Sequence, residues 1–124
     1  MAAAMDVVGN PSSVHAEGRK AKAMMERARR QVAEALGALA ADIVFVSGAT
    51  EAAALACAGR DLRSARVEHD AVLAWARPDL AVTRDGAVRI PEPHRAAVQV
   101  ANSETGVVQD LPDGLAVSDW TQGF

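Results

Sequence analysis

The chain has 124 residues and a mass of 12.9 kDa, enough for one domain with a buried core and no disulfides. Half of its residues are hydrophobic and 23% are charged, which excludes disorder; 13 Lys+Arg against 16 Asp+Glu give a net charge of -3. With 3% aromatic residues and no Tyr, this acidic chain lacks the makeup of a nucleic-acid binder. No apolar run approaches the ~20 residues that cross a bilayer. Met1–Ala4 is too short for a signal peptide, so the cytoplasm is the expected compartment. A single cysteine, Cys57, excludes an internal disulfide framework and a multi-cysteine metal site, and no metal is expected. Arg outnumbers Lys 11 to 2, so any lysine chemistry falls to Lys20 or Lys22.

In chain order, Gly9-Asn10-Pro11-Ser12-Ser13 is turn chemistry, with Ser12 or Ser13 able to cap a following helix. That helix runs to about Leu36 and stops at Gly37. Ala21, Met24, Met25, Ala28, Val32, Ala35 and Leu36 recur at steps of three and four and predict one buried stripe. Arg19, Lys20, Lys22, Arg27, Arg29 and Arg30 share the opposite side with Glu26 and Glu34. They read either as a phosphate patch or, the preferred reading, as a solvated face. Ile43–Val46 predicts a strand buried on both faces, Ser47-Gly48 breaks it, and Ala49–Ala58 predicts a helix closed by Gly59. Ala65–Val67 suggests a short strand, and Ala71–Ala76 a helix ended by Pro78. Leu80–Thr83 and Ala87–Ile90 flank Arg84-Asp85-Gly86 as a hairpin. Ala96–Ala101 is a strand, and Leu115–Ser118 another, introduced by the Pro112-Asp113-Gly114 turn. With no repeat and no linker, one α/β unit is expected.

Four segments carry candidate chemistry. Ser47-Gly48-Ala49-Thr50-Glu51 is a small-residue turn leading into a helix, a geometry that aims backbone N–H groups at an anion, although Thr50 can equally serve as a plain cap. Glu68-His69-Asp70 places an imidazole at a strand end, either to stack on a planar ligand and move protons or as an ordinary surface histidine. Asn102-Ser103-Glu104-Thr105-Gly106 follows a buried strand, where open α/β sheets place ligands, and also suits a simple turn. Asp119 ends an apolar run, and Asp119 and Gln122 can reach one ligand only if the chain turns after Asp119. A carboxylate held there can keep a ring nitrogen protonated.

Taken in this order, the segments resemble the cysteine desulfurases, pyridoxal-phosphate (PLP) enzymes of the class V aminotransferase group. The match starts at Gly9-Asn10-Pro11-Ser12-Ser13-Val14-His15 with Gly18-Arg19 and continues through Ile43-Val44-Phe45 and Ser47-Gly48-Ala49-Thr50-Glu51. It then takes in Glu68-His69-Asp70-Ala71-Val72-Leu73, Glu104-Thr105-Gly106-Val107-Val108-Gln109, and Asp119 with Gln122. The resemblance implies an α/β fold, part of the large domain of the fold type I PLP-dependent transferases, with a mostly parallel sheet flanked by helices over residues 1–124. It implies that Ala49 and Thr50 hold the cofactor phosphate, that His69 stacks on the pyridine ring and takes part in proton transfer, that Asp119 pairs with the ring nitrogen and that Gln122 bonds the ring hydroxyl. Asn102 and Ser103 are the implied substrate contacts. The implied reaction converts L-cysteine to L-alanine and leaves a persulfide on an enzyme thiol. That sulfur supplies iron–sulfur cluster or thio-cofactor assembly through an acceptor or scaffold protein, and the enzyme is expected to be a homodimer.

Three departures qualify the match. Ser103 stands where the family motif has a second Asn. The spacings Gly59–Glu68, Asp70–Asn102 and Gln109–Asp119 are shorter than is usual. The imine-forming lysine of the family lies in a Ser-Gly-His-Lys-like motif beyond the Gln122 position, the persulfide cysteine later still, and neither falls within these 124 residues. Lys20 and Lys22 match nothing in that motif, and Cys57 is expected to be a small buried residue. The expectation is therefore a partial large domain, marginal or self-associating by itself. The competing expectations are a non-catalytic binding or assembly module from a truncated or split gene, or another class V activity such as selenocysteine lyase or aminotransferase.

Overall fold

The computed structural model describes residues 2–123 and divides into two compact units, Met1–Phe45 and Val46–Phe124. In the first, a short helix α1 (Ala2–Met5) precedes a turn and the long helix α2 (Ala16–Leu36). The turn forms because Asn10 closes it twice: its side-chain oxygen accepts from Ser12 N–H at 2.9 Å and its carbonyl from Ser13 N–H at 2.9 Å. It then lies directly on the first turns of α2. A Cβ on buried Gly18 would sit 2.5 Å from the Asn10 carbonyl oxygen, so only glycine permits this approach. The expected serine cap is absent. His15 occupies the N-cap with no side-chain bond to the helix, and Ser13 Oγ instead accepts from His15 N–H at 3.2 Å. Gly37 ends α2 as expected, in the left-handed region at φ 64, with Ala38 N–H returning to the Ala33 carbonyl at 2.9 Å.

Two expectations fail in this unit. The apolar stripe of α2 is not buried: Met25, Val32 and Leu36 are 39%, 39% and 55% exposed, and Gly18 and Ala33 are the buried positions. Within the unit a short 3-10 turn, Ala40–Asp42, lies along the helix and is too small to cover the stripe. Ile43–Val46 is not a strand either. It pairs with no other strand among the described residues, and Val44 is 70% exposed. An apolar run becomes a buried strand only when neighbours satisfy its backbone on both sides. Arg29 holds the end of this segment, donating to the Ile43 carbonyl and lying 4.9 Å from the Phe45 ring centre.

The second unit is the α/β part. Strands β1 (Leu62–Ala65) and β2 (Ala76–Leu80) pair in parallel, as do β3 (Ala97–Gln99) and β4 (Val117–Asp119). A parallel bridge between Arg63 and Ala96 joins the two ladders in the order β2-β1-β3-β4. Helix α3 (Ala49–Cys57) leads into β1, helix α4 (Asp70–Leu73) connects β1 to β2, and both cover one face. The alternation of β3 divides the core. Ala97 joins Cys57, Leu62, Val72 and Ala76 under the helices, while Ala96 and Val98 join Ala65 and Leu80 on the other side. Burying side chains such as Leu62, Val72 and Val98 contributes about 1.5–3 kcal/mol each.

The Ala96–Ala101 expectation holds at its centre: the strand covers Ala97–Gln99, and Ala96 to Val100 are all buried. The hairpin expectation also holds as a turn: Thr83 N–H donates to the Ala87 carbonyl at 2.8 Å, Val82 bridges Val88, and Gly86 has φ 85. The middle of the chain departs from expectation. The strand lies at Leu62–Ala65 rather than Ala65–Val67, and α4 is one turn that ends before Ala76. Pro78 does not end a helix but sits inside β2, which among the described residues pairs only with β1 and so tolerates a residue without an N–H.

Candidate functional site

Helix α3 starts at Ala49, with Gly48 at its N-cap in extended backbone (φ 169, ψ 178). The first N–H groups of a helix have no partner within it, so those of Ala49 and Thr50 head the positive end of α3. Glu51 reaches back one turn: its Oε2 accepts from Ser47 N–H and Ser47 Oγ, both at 2.7 Å. The Ser47 hydroxyl and amide hold the Glu51 carboxyl below the usual carboxylate range. Thr50 is exposed, and its side chain makes no capping bond.

His69 caps α4. Its Nδ1 accepts from Ala71 N–H at 3.1 Å, which assigns the ring proton of the neutral form to Nε2 and fixes the ring's direction. Before it, Glu68 is only 3% exposed, and its Oε2 accepts from Gln99 N–H at 2.8 Å while Oε1 has no partner. Burial pushes the Glu68 carboxyl up to about 7; the Gln99 bond opposes this and the Asp119 carboxylate adds to it.

Asp119 ends β4, and the chain turns there. Asp119 Oδ1 accepts from Thr121 N–H at 2.9 Å and Thr121 Oγ1 at 2.6 Å, and Gly123 N–H closes onto the Trp120 carbonyl at 2.8 Å. This is the turn that lets Asp119 and Gln122 face one ligand. Asn102 does something different from its neighbour. Its amide donates to the Val67 carbonyl at 2.8 Å and to Gln99 Oε1 at 3.1 Å, and its oxygen accepts from Glu104 N–H, Thr105 N–H and Thr105 Oγ1. Asn102 is 3% exposed and holds the loop, while Ser103 is exposed.

These segments meet in a cavity of ≈ 100 Å³ lined by Ala49, His69, Ala71, Gln99, Ser103, Asp119, Thr121 and Gln122. Five of the residues singled out in the sequence, Ala49, His69, Ser103, Asp119 and Gln122, therefore share one space, and Thr50 and Asn102 do not line it. An apolar groove of ≈ 360 Å³ adjoins it, sharing Ala49, Asp119 and Thr121 and walled by Ala52, Ala53, Val72, Val117 and Trp120. Gln99 was not among the sequence candidates, and Glu68, though within a candidate segment, was given no role. A glutamine within the apolar run Ala96–Val100 was the signal for Gln99, whereas Glu68 read only as the neighbour of His69. Cys57 is fully buried in the core, and burial raises its thiol pKa, so it is held as a neutral thiol as expected. No cluster of metal-ligating side chains occurs among the described residues.

The family model Aminotransferase class-V matches residues 2–117. A cysteine desulfurase from Frankia sp. is 38% identical over 82% of this chain and 32% of its own length. An IscS-like cysteine desulfurase from Mycobacterium tuberculosis is 33% identical over 93% of this chain and 23% of its own. The structure of a NifS-like protein from Rickettsia africae superposes with a TM-score of 0.72 and 28% identity, covering 88% of this chain and 37% of that one. The chain thus spans about a third or less of these relatives. Matched along nearly all of its own length, in sequence and in the parallel α/β arrangement around the cavity, the chain belongs to the class-V aminotransferase family.

Proposed function

We propose that this chain supplies the PLP-gripping part of a cysteine desulfurase, which converts L-cysteine to L-alanine and passes the sulfur to a thiol for iron–sulfur cluster or thio-cofactor assembly. The observation that carries the reading is the convergence of a helix N-terminus, a fixed imidazole, a carboxylate and an amide on one cavity. That donor set fits PLP: an anion-binding helix end for the phosphate, a flat ring to stack, a carboxylate for a protonated nitrogen and an amide for a hydroxyl. When bound, PLP supplies an electron sink for bonds made and broken at the substrate Cα.

Each residue then has a defined task. Ala49, on the cavity wall, and Thr50, next to it at the head of α3 but outside the lining, would offer backbone N–H groups to the phosphate. Thr121 holds Asp119 through Oδ1, and the Asp119 carboxylate would keep a pyridine nitrogen placed beside it protonated. Gln122 would bond the ring hydroxyl, and His69 would lie against the ring, its Nδ1 held by Ala71 N–H and its Nε2 left to carry a proton. Ser103, on the cavity wall, meets the substrate, and Asn102 fixes the loop that carries it. The amine that anchors PLP and the thiol that takes sulfur are assigned to residues outside those lining the cavity. A homodimer, a scaffold-protein acceptor and the cytoplasm complete the proposed setting.

The test is acylation of histidines in the 124-residue chain, mapped by mass spectrometry with and without PLP. His15, His69 and His94 are all exposed, so the first and last serve as internal controls. PLP should protect His69 alone, and borohydride should fix no stoichiometric adduct on Lys20 or Lys22. Equal protection of all three histidines, or none, would contradict the reading. Cysteine is distinguished from selenocysteine as substrate by comparing alanine release from each.

A further inference from the structure

Glu68 is the buried titratable group that the scheme above leaves unused. It follows β1, where the chain has left the sheet and can no longer bond β3. At that point Gln99 N–H finds the Glu68 Oε2 at 2.8 Å in place of a strand carbonyl. Gln99 pairs in register with Asp119, and Val100 N–H bonds the Asp119 carbonyl at 2.9 Å. Glu68 thus braces β3, the strand whose Gln99 and Val100 pair with the Asp119 end of β4. Its other oxygen is buried with no partner, and no Arg or Lys pairs with it among the described residues. The charged and titratable groups around it are Asp119 from β4 and, along an adjoining cavity, Arg66, His69, Asp70 and Glu104. A buried carboxylate with an orphaned oxygen, facing a second carboxylate, is costly unless it is neutral.

We propose that Glu68 is a positioning residue which, in its neutral form, braces β3 against β4 and leaves Asp119 as the sole negative charge presented to the ring nitrogen. This rests on the PLP reading for its consequence, not for its geometry. When Glu68 ionises, the Gln99 bond persists, but a second negative charge enters the same buried corner as Asp119.

The test follows side-chain carboxyl carbons by NMR in the full chain as pH rises from 4 to 9, together with PLP affinity in wild type and Glu68→Gln. Glu68 should titrate near 7, apart from the other glutamates, and the Asp119 signal should move with the same midpoint. Glu68→Gln should abolish that Asp119 step. The change in PLP affinity between pH 6 and pH 8 should differ severalfold between wild type and Glu68→Gln. Glu68 titrating with the surface glutamates, or an Asp119 signal without a step at the Glu68 midpoint, overturns the proposal. Should Glu68→Gln fail to fold, the wild-type titration decides alone. A coupled titration without PLP binding would sink the PLP reading and leave the brace standing. PLP binding whose pH profile is the same in both forms would sink the consequence drawn here and leave the PLP reading standing.

Discussion

At Asp119 and Gln122, sequence order and spatial order differ by one turn. Along an extended strand the two side chains would part, and the Thr121 hydrogen bonds to Asp119 Oδ1 make the turn that reunites them. Thr121→Val should therefore weaken PLP binding about as much as losing a charge-assisted bond, roughly 1.5–3 kcal/mol or more than tenfold, measured by equilibrium dialysis. Unchanged binding would mean that Asp119 is placed without it. Glu68 has a further effect, on stability. The folded state holds a proton up to about pH 7 that the unfolded chain releases near 4.5. The Glu68 contribution is then fully present below 4.5, falls as pH rises to about 7 and is lost above. The loss is on the order of 1–3 kcal/mol, read as a urea-midpoint shift that is larger in wild type than in Glu68→Gln. His69 and Asp119 were legible because their residue types announce a chemistry. Glu68 was not, because burial and an unpaired oxygen are properties of the fold, and the sequence shows only a polar residue beside a histidine.

Among the elements, helix α3 was read almost to the residue, since a glycine turn, alanines and a terminal glycine leave little choice. Its start is stabilised by Glu51 reaching back to Ser47, and Glu51→Ala should cost about 1 kcal/mol, seen as earlier loss of α3 protection in amide exchange. The hairpin depends on Gly86. At φ 85, with a Cβ that would fall 2.8 Å from Val107 Cγ2, Gly86→Ala combines backbone strain with a clash and should destabilise by about 1–3 kcal/mol. A neutral effect on the melting midpoint would show that this turn is free to shift. Two elements were misread for one reason. Ile43–Val46 has the composition of a central strand, and Ala76–Leu80 carries a proline that argues against one. Pairing decided both: the first finds no strand partner among the described residues, and the second finds one edge of β1.

For the whole molecule, the α/β class was legible from alternating strand and helix signals and the parallel sheet from the family resemblance, whereas the extent of burial was not. Periodicity says which face of a helix is apolar, not whether anything covers it. Val44, Leu55, Leu36 and Trp120 are 70%, 66%, 55% and 47% exposed, a large apolar surface for a small chain. Light scattering should show the chain self-associating as its concentration rises; a monomer with a sharp, concentration-independent melt would contradict this.

The claim beneath all of this is that α3, His69 and the Asp119 turn form one PLP-gripping surface. Titrating the chain with PLP and comparing wild type with Asp119→Asn tests it most directly. The account predicts saturable one-to-one binding, competed by inorganic phosphate and weakened about tenfold or more by the substitution, roughly 1.4 kcal/mol. Binding that does not saturate, or that Asp119→Asn leaves unchanged, would contradict it.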